Sequence, residues 1–363
     1  MRLADLPSKT TRQIRLHDGR LLAYAEYGDP AGRPVIFFHG TPGSRLFHYL
    51  DESIAQSLGA RIITPDRPGF GLSDFKPGRT LLDWPDDVME LADALQIDRF
   101  AVAGTSGGAP YVAACALKIP HRLTRAVMIS SAAPIDAPAA TKGMVWLNRL
   151  LFSSARYSRM LAKLSWGLMN FAYHQSPERF FDFEAKLSPE TEKALLKEPD
   201  VRAMLMQDYA EATRMGARGT AWEMTLLAHP WGFRLQDITM EVYLWHGEAD
   251  VRTPLGMGKY LAGTIPNCRA IFAPGEGHDV MYHHWKEILS VLTSWGDNGD
   301  DGAKSSRKRQ TRPKRRTLSS EAKTVPAESC STEEQVRPGP EKTTRRKRQL
   351  VPAGSGDNSA VQS

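Results

Sequence analysis

The stretch Arg99-Phe-Ala-Val-Ala-Gly-Thr-Ser-Gly-Gly-Ala-Pro-Tyr-Val112 constrains this chain more than any other. Phe100 to Ala103 is an apolar, β-favouring run, and Tyr111 to Leu117 is an Ala-rich segment of helical character. Between them lies Gly104-Thr105-Ser106-Gly107-Gly108. The order is strand, sharp turn, helix, with a serine at the apex. Such a turn holds its apical residue in strained backbone geometry, and side chains at 104 or 108 would crowd it. Ser106 is expected to project its hydroxyl from the carboxyl edge of a sheet. The backbone N–H of Gly107, opening the next helix, would point at negative charge developing beside it. A bare Gly-x-Ser-x-Gly also describes a flexible loop, so the rest of the chain must discriminate.

The flanking rhythm favours a sheet. Gln13 to Leu16 and Leu21 to Tyr27, around Asp18-Gly19, predict a β-hairpin. Val35-Ile-Phe-Phe38, Arg61-Ile-Ile-Thr64 and Ala126-Val-Met-Ile129 are short, continuous apolar runs, as strands buried on both faces require. Helices are expected over Arg45 to Leu58 and Leu81 to Leu95. Alternating strands and helices predict an α/β fold with a mostly parallel sheet covered on both faces. The rhythm stops after Ser131. From about 133 to 234 the chain reads as helical, carrying Trp146, Trp166, Trp222 and Trp231 and punctuated by Pro177, Pro189 and Pro199. Strands resume at Glu241-Val-Tyr-Leu-Trp245 and Arg269-Ala-Ile-Phe272, before a last helix from Tyr282 to Trp295. A helical block inserted before the last two strands is the pattern of a lid over a carboxyl-edge site.

Composition matters chiefly at the C-terminus. The whole chain holds 47 Lys+Arg and 41 Asp+Glu; residues 297–363 take 15 and 9 of these, which leaves 32 of each for residues 1–296. The net charge of +6 therefore sits in the tail, whose composition predicts disorder. Its clusters Arg307-Lys-Arg-Gln-Thr-Arg-Pro-Lys-Arg-Arg316 and Arg345-Arg-Lys-Arg348 could bind phosphate backbones or act as a localisation signal. No aromatic residue interleaves them, so base stacking is not supported, and an extension without a partner is the simpler expectation. Three cysteines, Cys115, Cys268 and Cys330, argue against a disulfide framework or a metal clip. The N-terminus shows no signal-peptide core, and no stretch approaches the ~20 apolar residues that span a bilayer. The expectation is a cytoplasmic protein with no membrane partner.

A serine hydroxyl needs a base within reach, and the base needs an orienting acid. The strand at Trp245 runs into His246-Gly-Glu-Ala-Asp250-Val-Arg-Thr-Pro254, and the strand at Phe272 into Ala-Pro-Gly-Glu-Gly-His278-Asp279. Ser106, Asp250 and His278 thus follow the order nucleophile, acid, base, each just after a predicted strand.

These segments, together with His39-Gly-Thr-Pro-Gly43 and Asp66-Arg-Pro-Gly-Phe-Gly-Leu-Ser73, resemble the α/β-hydrolase superfamily in its lid-bearing, serine-nucleophile form (AB hydrolase-1 type). The resemblance covers residues 13–295 apart from the lid. It implies that Ser106 attacks a carbonyl, His278 relays the proton and Asp250 holds the imidazole tautomer. It also implies an oxyanion hole from the backbone N–H groups of Thr41 and Gly107; Pro42 has no N–H to offer. Metal and organic cofactors are not expected.

Rival assignments exist for the acid. Asp279 adjoins the base, and Asp136 follows the Met128 strand. His39 and His246 precede glycines at strand ends and are expected to brace loops, as are Asp66 and Arg67. Glu248 and Glu276 read as solvated loop carboxylates. A serine at the elbow excludes relatives that use Asp there against epoxides or carbon–halogen bonds. Thr105 and Gly107 do not match the Trp-bearing elbow of aminopeptidase relatives. The expected function is hydrolysis of a carboxylic ester, thioester or lactone through an acyl-enzyme, on a small-molecule substrate with an apolar group. The alternatives are an acyltransferase or C–C bond hydrolase on the same triad, and a ligand-binding receptor with a slow or silent one.

Overall fold

The computed structural model describes residues 10–294. The chain divides into a unit Met1–Gly302 and a unit Ala303–Ser363. The tail expected from 297, with its basic clusters, lies outside the described residues.

Eight strands form one sheet in the order β1-β2-β4-β3-β5-β6-β7-β8. β1 (Arg12–Arg15) and β2 (Leu21–Gly28) form the expected hairpin, with Gly19 at φ +87° in its turn. β2 also pairs antiparallel with β4 (Ala60–Pro65). From β4 onward all pairings are parallel, through β3 (Arg33–Phe38), β5 (Phe100–Thr105), β6 (Leu123–Ile129), β7 (Val242–Gly247) and β8 (Cys268–Ala273). The continuous apolar runs are explained by this arrangement. In β3, Ile36 and Phe38 enter one core with α2 (Trp84–Ala94) and α3 (Ala109–Lys118). Val35 and Phe37 enter the other, with α1 (Glu52–Ser57) and α11 (Met281–Thr293). Alternate residues of one strand thus fill opposite layers.

Two helix expectations need correction. Of Arg45 to Leu58, only Glu52–Ser57 is helical, starting where Asp51 accepts a hydrogen bond from the Ser53 N–H. The earlier residues are held by tertiary polar contacts. The Arg45 N–H donates to Asp66 Oδ1 at 2.6 Å, and its buried guanidinium lies between Asp66 and Glu211. The helix expected from Leu81 begins as a single 3-10 turn, Leu81–Asp83, before α2.

Between β6 and β7 the described structure is helical: α4 (Trp146–Tyr157), α5 (Arg159–Gln175), α6 (Pro177–Leu187), α7 (Glu190–Leu195), α8 (Pro199–Ala212) and α9 (Arg218–Leu227). Pro177 and Pro199 each open a helix, where a missing N–H costs nothing. Ser158 and Ser176 accept capping bonds from the first turns of α5 and α6. α10 (Leu255–Thr264) then links β7 to β8. Among the described residues, no helix is long and apolar enough to cross a membrane.

Candidate active site

β5 ends at Thr105, and the chain turns at Ser106 with φ +55°, a left-handed conformation that costs a non-glycine residue energy. The neighbouring glycines explain how the turn fits. A Cβ at Gly104 would lie 2.7 Å from the Gly108 carbonyl oxygen, and one at Gly108 would collide with the carbonyl of His39. Both positions therefore demand glycine for space, while Ser106 carries the strain.

Asp250 follows β7 and His278 follows β8, and adjacent parallel strands bring their loops together. His278 Nδ1 lies 2.9 Å from Asp250 Oδ2. Asp250 is buried; its Oδ1 accepts from the backbone N–H groups of Arg252 and Thr253 at 2.8 and 2.9 Å. Burial alone would raise the Asp250 carboxyl, but His278 and these donors hold it below the usual carboxylate range. Burial likewise opposes charge on His278, and the facing Asp250 carboxylate outweighs it, raising the imidazole above its ordinary value. The other candidate acids do not take this place. Asp136 is exposed, and Asp279 makes no hydrogen bond to the imidazole; burial pushes its carboxyl up to about 6.

Ser106 and His278 line one cavity of about 200 Å³, together with Thr41 and Gly107. No hydrogen bond joins Ser106 to His278 among the described residues. The Thr41 N–H has no hydrogen-bond partner among the described residues. Gly107 lies in the first turn after β5, where N–H groups lack intrahelical acceptors. The two positions adjoin, since a Cβ at Gly107 would collide with the Thr41 hydroxyl. The far wall is apolar and comes from the helical insertion, notably Phe152, Trp166, Phe180 and Phe181.

The loop His39-Gly40-Thr41 rests on a buried charge cluster. Arg67 donates to the carbonyls of His39 and Gly40 and to Thr41 Oγ1. Its guanidinium pairs with Glu223 of α9, 2.7 Å away, and Glu223 also pairs with Arg79 and accepts from the Tyr111 hydroxyl at 2.7 Å. Burial would raise Glu223, but the two cations hold it low. His39 and His246 are engaged by backbone carbonyls, of Gly40 and Thr253 respectively. Glu276 is taken up by His283 at 2.7 Å. Among the described residues, no cluster of three or more His, Cys, Asp or Glu side chains is placed to hold a metal ion.

Several neighbours escaped the sequence reading. Thr253 Oγ1 donates to Asp250 Oδ2 at 2.8 Å and lies 3.1 Å from His278 Nδ1. Its spacing from Asp250, in a turn closed by the carboxylate, is a signal that could have found it. Glu192 of α7 accepts from the His278 N–H, and Arg252 spans Glu184 and Glu192. Glu223 anchors the Thr41 loop. Lone glutamates on amphipathic helices give no such signal.

A family model described as alpha/beta hydrolase fold matches residues 33–284. A non-heme chloroperoxidase of Streptomyces lividans is 32% identical over 130 residues, 35% of this chain and 47% of that protein. The chain thus spans about half the length of that relative. A pimeloyl-[acyl-carrier protein] methyl ester esterase of Legionella pneumophila is 24% identical over 270 residues, 72% of this chain and 94% of that one. In fold, the chain is similar to a hydrolase from Pseudomonas aeruginosa PA01, with a TM-score of 0.58 at 19% identity over 80% of this chain and 99% of that one. With most of its length matched, and the strand order and elbow to go with it, the chain belongs to the alpha/beta hydrolase family.

Proposed function

We propose that this chain is a serine hydrolase that cleaves a carboxylic ester, thioester or lactone through an acyl-enzyme on Ser106. The observation that carries the reading is the 2.9 Å contact between His278 Nδ1 and Asp250, with the imidazole lining the cavity that Ser106 also lines. Asp250 fixes the tautomer, so Nε2 is the free basic nitrogen. Ser106 Oγ attacks the substrate carbonyl carbon as its proton passes to His278. The tetrahedral oxyanion is met by the N–H groups of Thr41 and Gly107. Collapse breaks the bond to the leaving group, which departs with the proton from His278. Water then repeats the sequence against the acyl-enzyme and releases the acid.

The helical insertion acts as a cap, and its aromatic wall suits an apolar acyl or alcohol group. A methyl ester esterase among the relatives supports ester chemistry. The test is labelling by a fluorophosphonate probe, with burst kinetics on p-nitrophenyl esters of graded acyl length. Wild type should label and show a burst, and Ser106→Ala should lose both, with turnover down by about 10³-fold or more. Undiminished turnover in Ser106→Ala, or saturable ligand binding without release, would sink the reading.

A further inference from the structure

We propose that the outward face of α4 and α5 docks on an anionic lipid surface. Eight of the eleven large apolar side chains exposed among the described residues lie on this helix pair. On α5 they include Met160, Leu164, Leu168 and Phe171, between 60% and 76% exposed. At about 100° per residue they fall within one narrow stripe along the helix. The opposite side of α5 carries Ala162, Trp166 and Tyr173, which are buried. α5 is therefore apolar on two faces, and only one is covered. α4 repeats the arrangement. Trp146, Leu150 and Tyr157 face outward, whereas Leu151 and Phe152 line the substrate cavity. The helices pack together, with Ser154 Oγ 2.9 Å from Ser165 Oγ, and their inner sides share that cavity. Both packed helices thus carry an uncovered apolar stripe, of the kind a soluble surface does not ordinarily leave bare.

Charge selects the occupant. Residues 137–177 contain no Asp or Glu. They do contain Lys142, Arg149, Arg156, Arg159 and Lys163, all exposed. On each helix the cations sit about 60–100° beyond the near edge of the apolar stripe; Arg156 donates to the Ala228 carbonyl and Arg159 lies over the Trp222 ring, while both remain exposed. Aromatic and aliphatic residues flanked by Lys and Arg are what an interfacial helix presents to acidic headgroups. A second copy of this chain fits worse. A two-fold interface would set this all-cationic patch against itself. The expectation of no membrane partner rested on the lack of a spanning segment, and that argument does not reach a surface contact of this kind. Docking here would lay the substrate cavity one helix layer from the lipid.

The test is co-sedimentation of the full chain with phosphatidylcholine vesicles and with mixed phosphatidylcholine–phosphatidylserine vesicles. The Lys and Arg residues of the basic clusters at 307–316 and 345–348 are first changed to Gln, so that the tail does not supply the binding. This chain should sediment with the mixed vesicles, far less with phosphatidylcholine alone, and release at high salt. Adding Leu164→Ser, Leu168→Ser and Phe171→Ser should weaken binding by about tenfold or more. Circular dichroism and the thermal midpoint, unchanged, would show that the variant folds. The proposal is overturned if the tail-neutralised chain stays in solution or if the three substitutions leave binding intact. It is equally overturned if they abolish a dimer in solution while vesicles bind nothing. Sedimentation needs no turnover, so its outcome is separate from that of the esterase reading.

Discussion

The backbone N–H of His278 donates to the carboxylate of Glu192, which stands on the helical insertion and not on the sheet. The contact is close-fitting, because a side chain at Gly277 would run into Glu192. Arg252, two residues beyond Asp250, lies 2.8 Å from Glu184 and 3.6 Å from Glu192. The insertion therefore grips both loops that carry the histidine–carboxylate pair. On the proposed mechanism, Glu192 acts as a positioning residue.

Glu192→Ala should lower kcat by about 10- to 100-fold while KM changes less, because small displacements of a base are costly. Glu192→Gln keeps an acceptor for the His278 N–H and should retain most of the rate. Steady-state kinetics on a soluble ester separate the two. Equal losses in both variants would mean that the charge, and not the hydrogen bond, is what matters.

The pH–rate profile follows from the raised imidazole. General-base action needs neutral His278, so kcat/KM should fall as pH drops through a midpoint above the ordinary histidine value of ~6.5. Asp250→Asn removes the charge that raises it. The acidic limb should then move to lower pH, and the plateau rate should drop by about 10⁴-fold.

Glu223 is the anion between two buried guanidiniums, so its removal should be expensive. Glu223→Ala leaves Arg67 and Arg79 short of a counter-charge and should cost about 3–5 kcal/mol in denaturant unfolding. Glu223→Gln, which can still accept from Tyr111, should fall between that and wild type. A loss under about 1 kcal/mol for the alanine variant would show the cluster to be solvated.

Asp208 of α8 gives a stability prediction of opposite sign to the usual carboxylate. Burial pushes its carboxyl up to about 7, although Ser44 donates to it through both N–H and hydroxyl. The folded chain thus holds a proton that the unfolded chain releases near 4, and stability falls as pH rises from about 4 to 7. Asp208→Asn should gain on wild type across that window. Thermal midpoints of the two proteins, measured at intervals of pH, would show the gap widening.

Much of the fold could be read from the chain because its information is local. Continuous apolar strands such as Val35–Phe38 announce burial on both faces, and Gly104 and Gly108 announce a turn with no room for side chains. Ser106, Asp250 and His278 could be picked out as candidates because each follows a strand whose neighbours are fixed by the parallel order. Arg45 misled, since its segment has helical propensity but is claimed by Asp66, far along the chain. Glu192, Glu223 and Thr253 depend on tertiary encounters between the insertion and the sheet. The outward stripe of α5 was invisible for a related reason. Period alone marks an apolar face without saying whether anything covers it.

The ion cluster at Glu223 also bears on traffic through the site. It ties α9 to the loop beside Ser106 through Arg67 and Thr41. α4 and α5 have no comparable buried ion pair among the described residues. On the proposed mechanism, passage of substrate and product would then fall to the α4–α5 side. Changes there should tune product departure, while changes beneath α9 should tune bond-making.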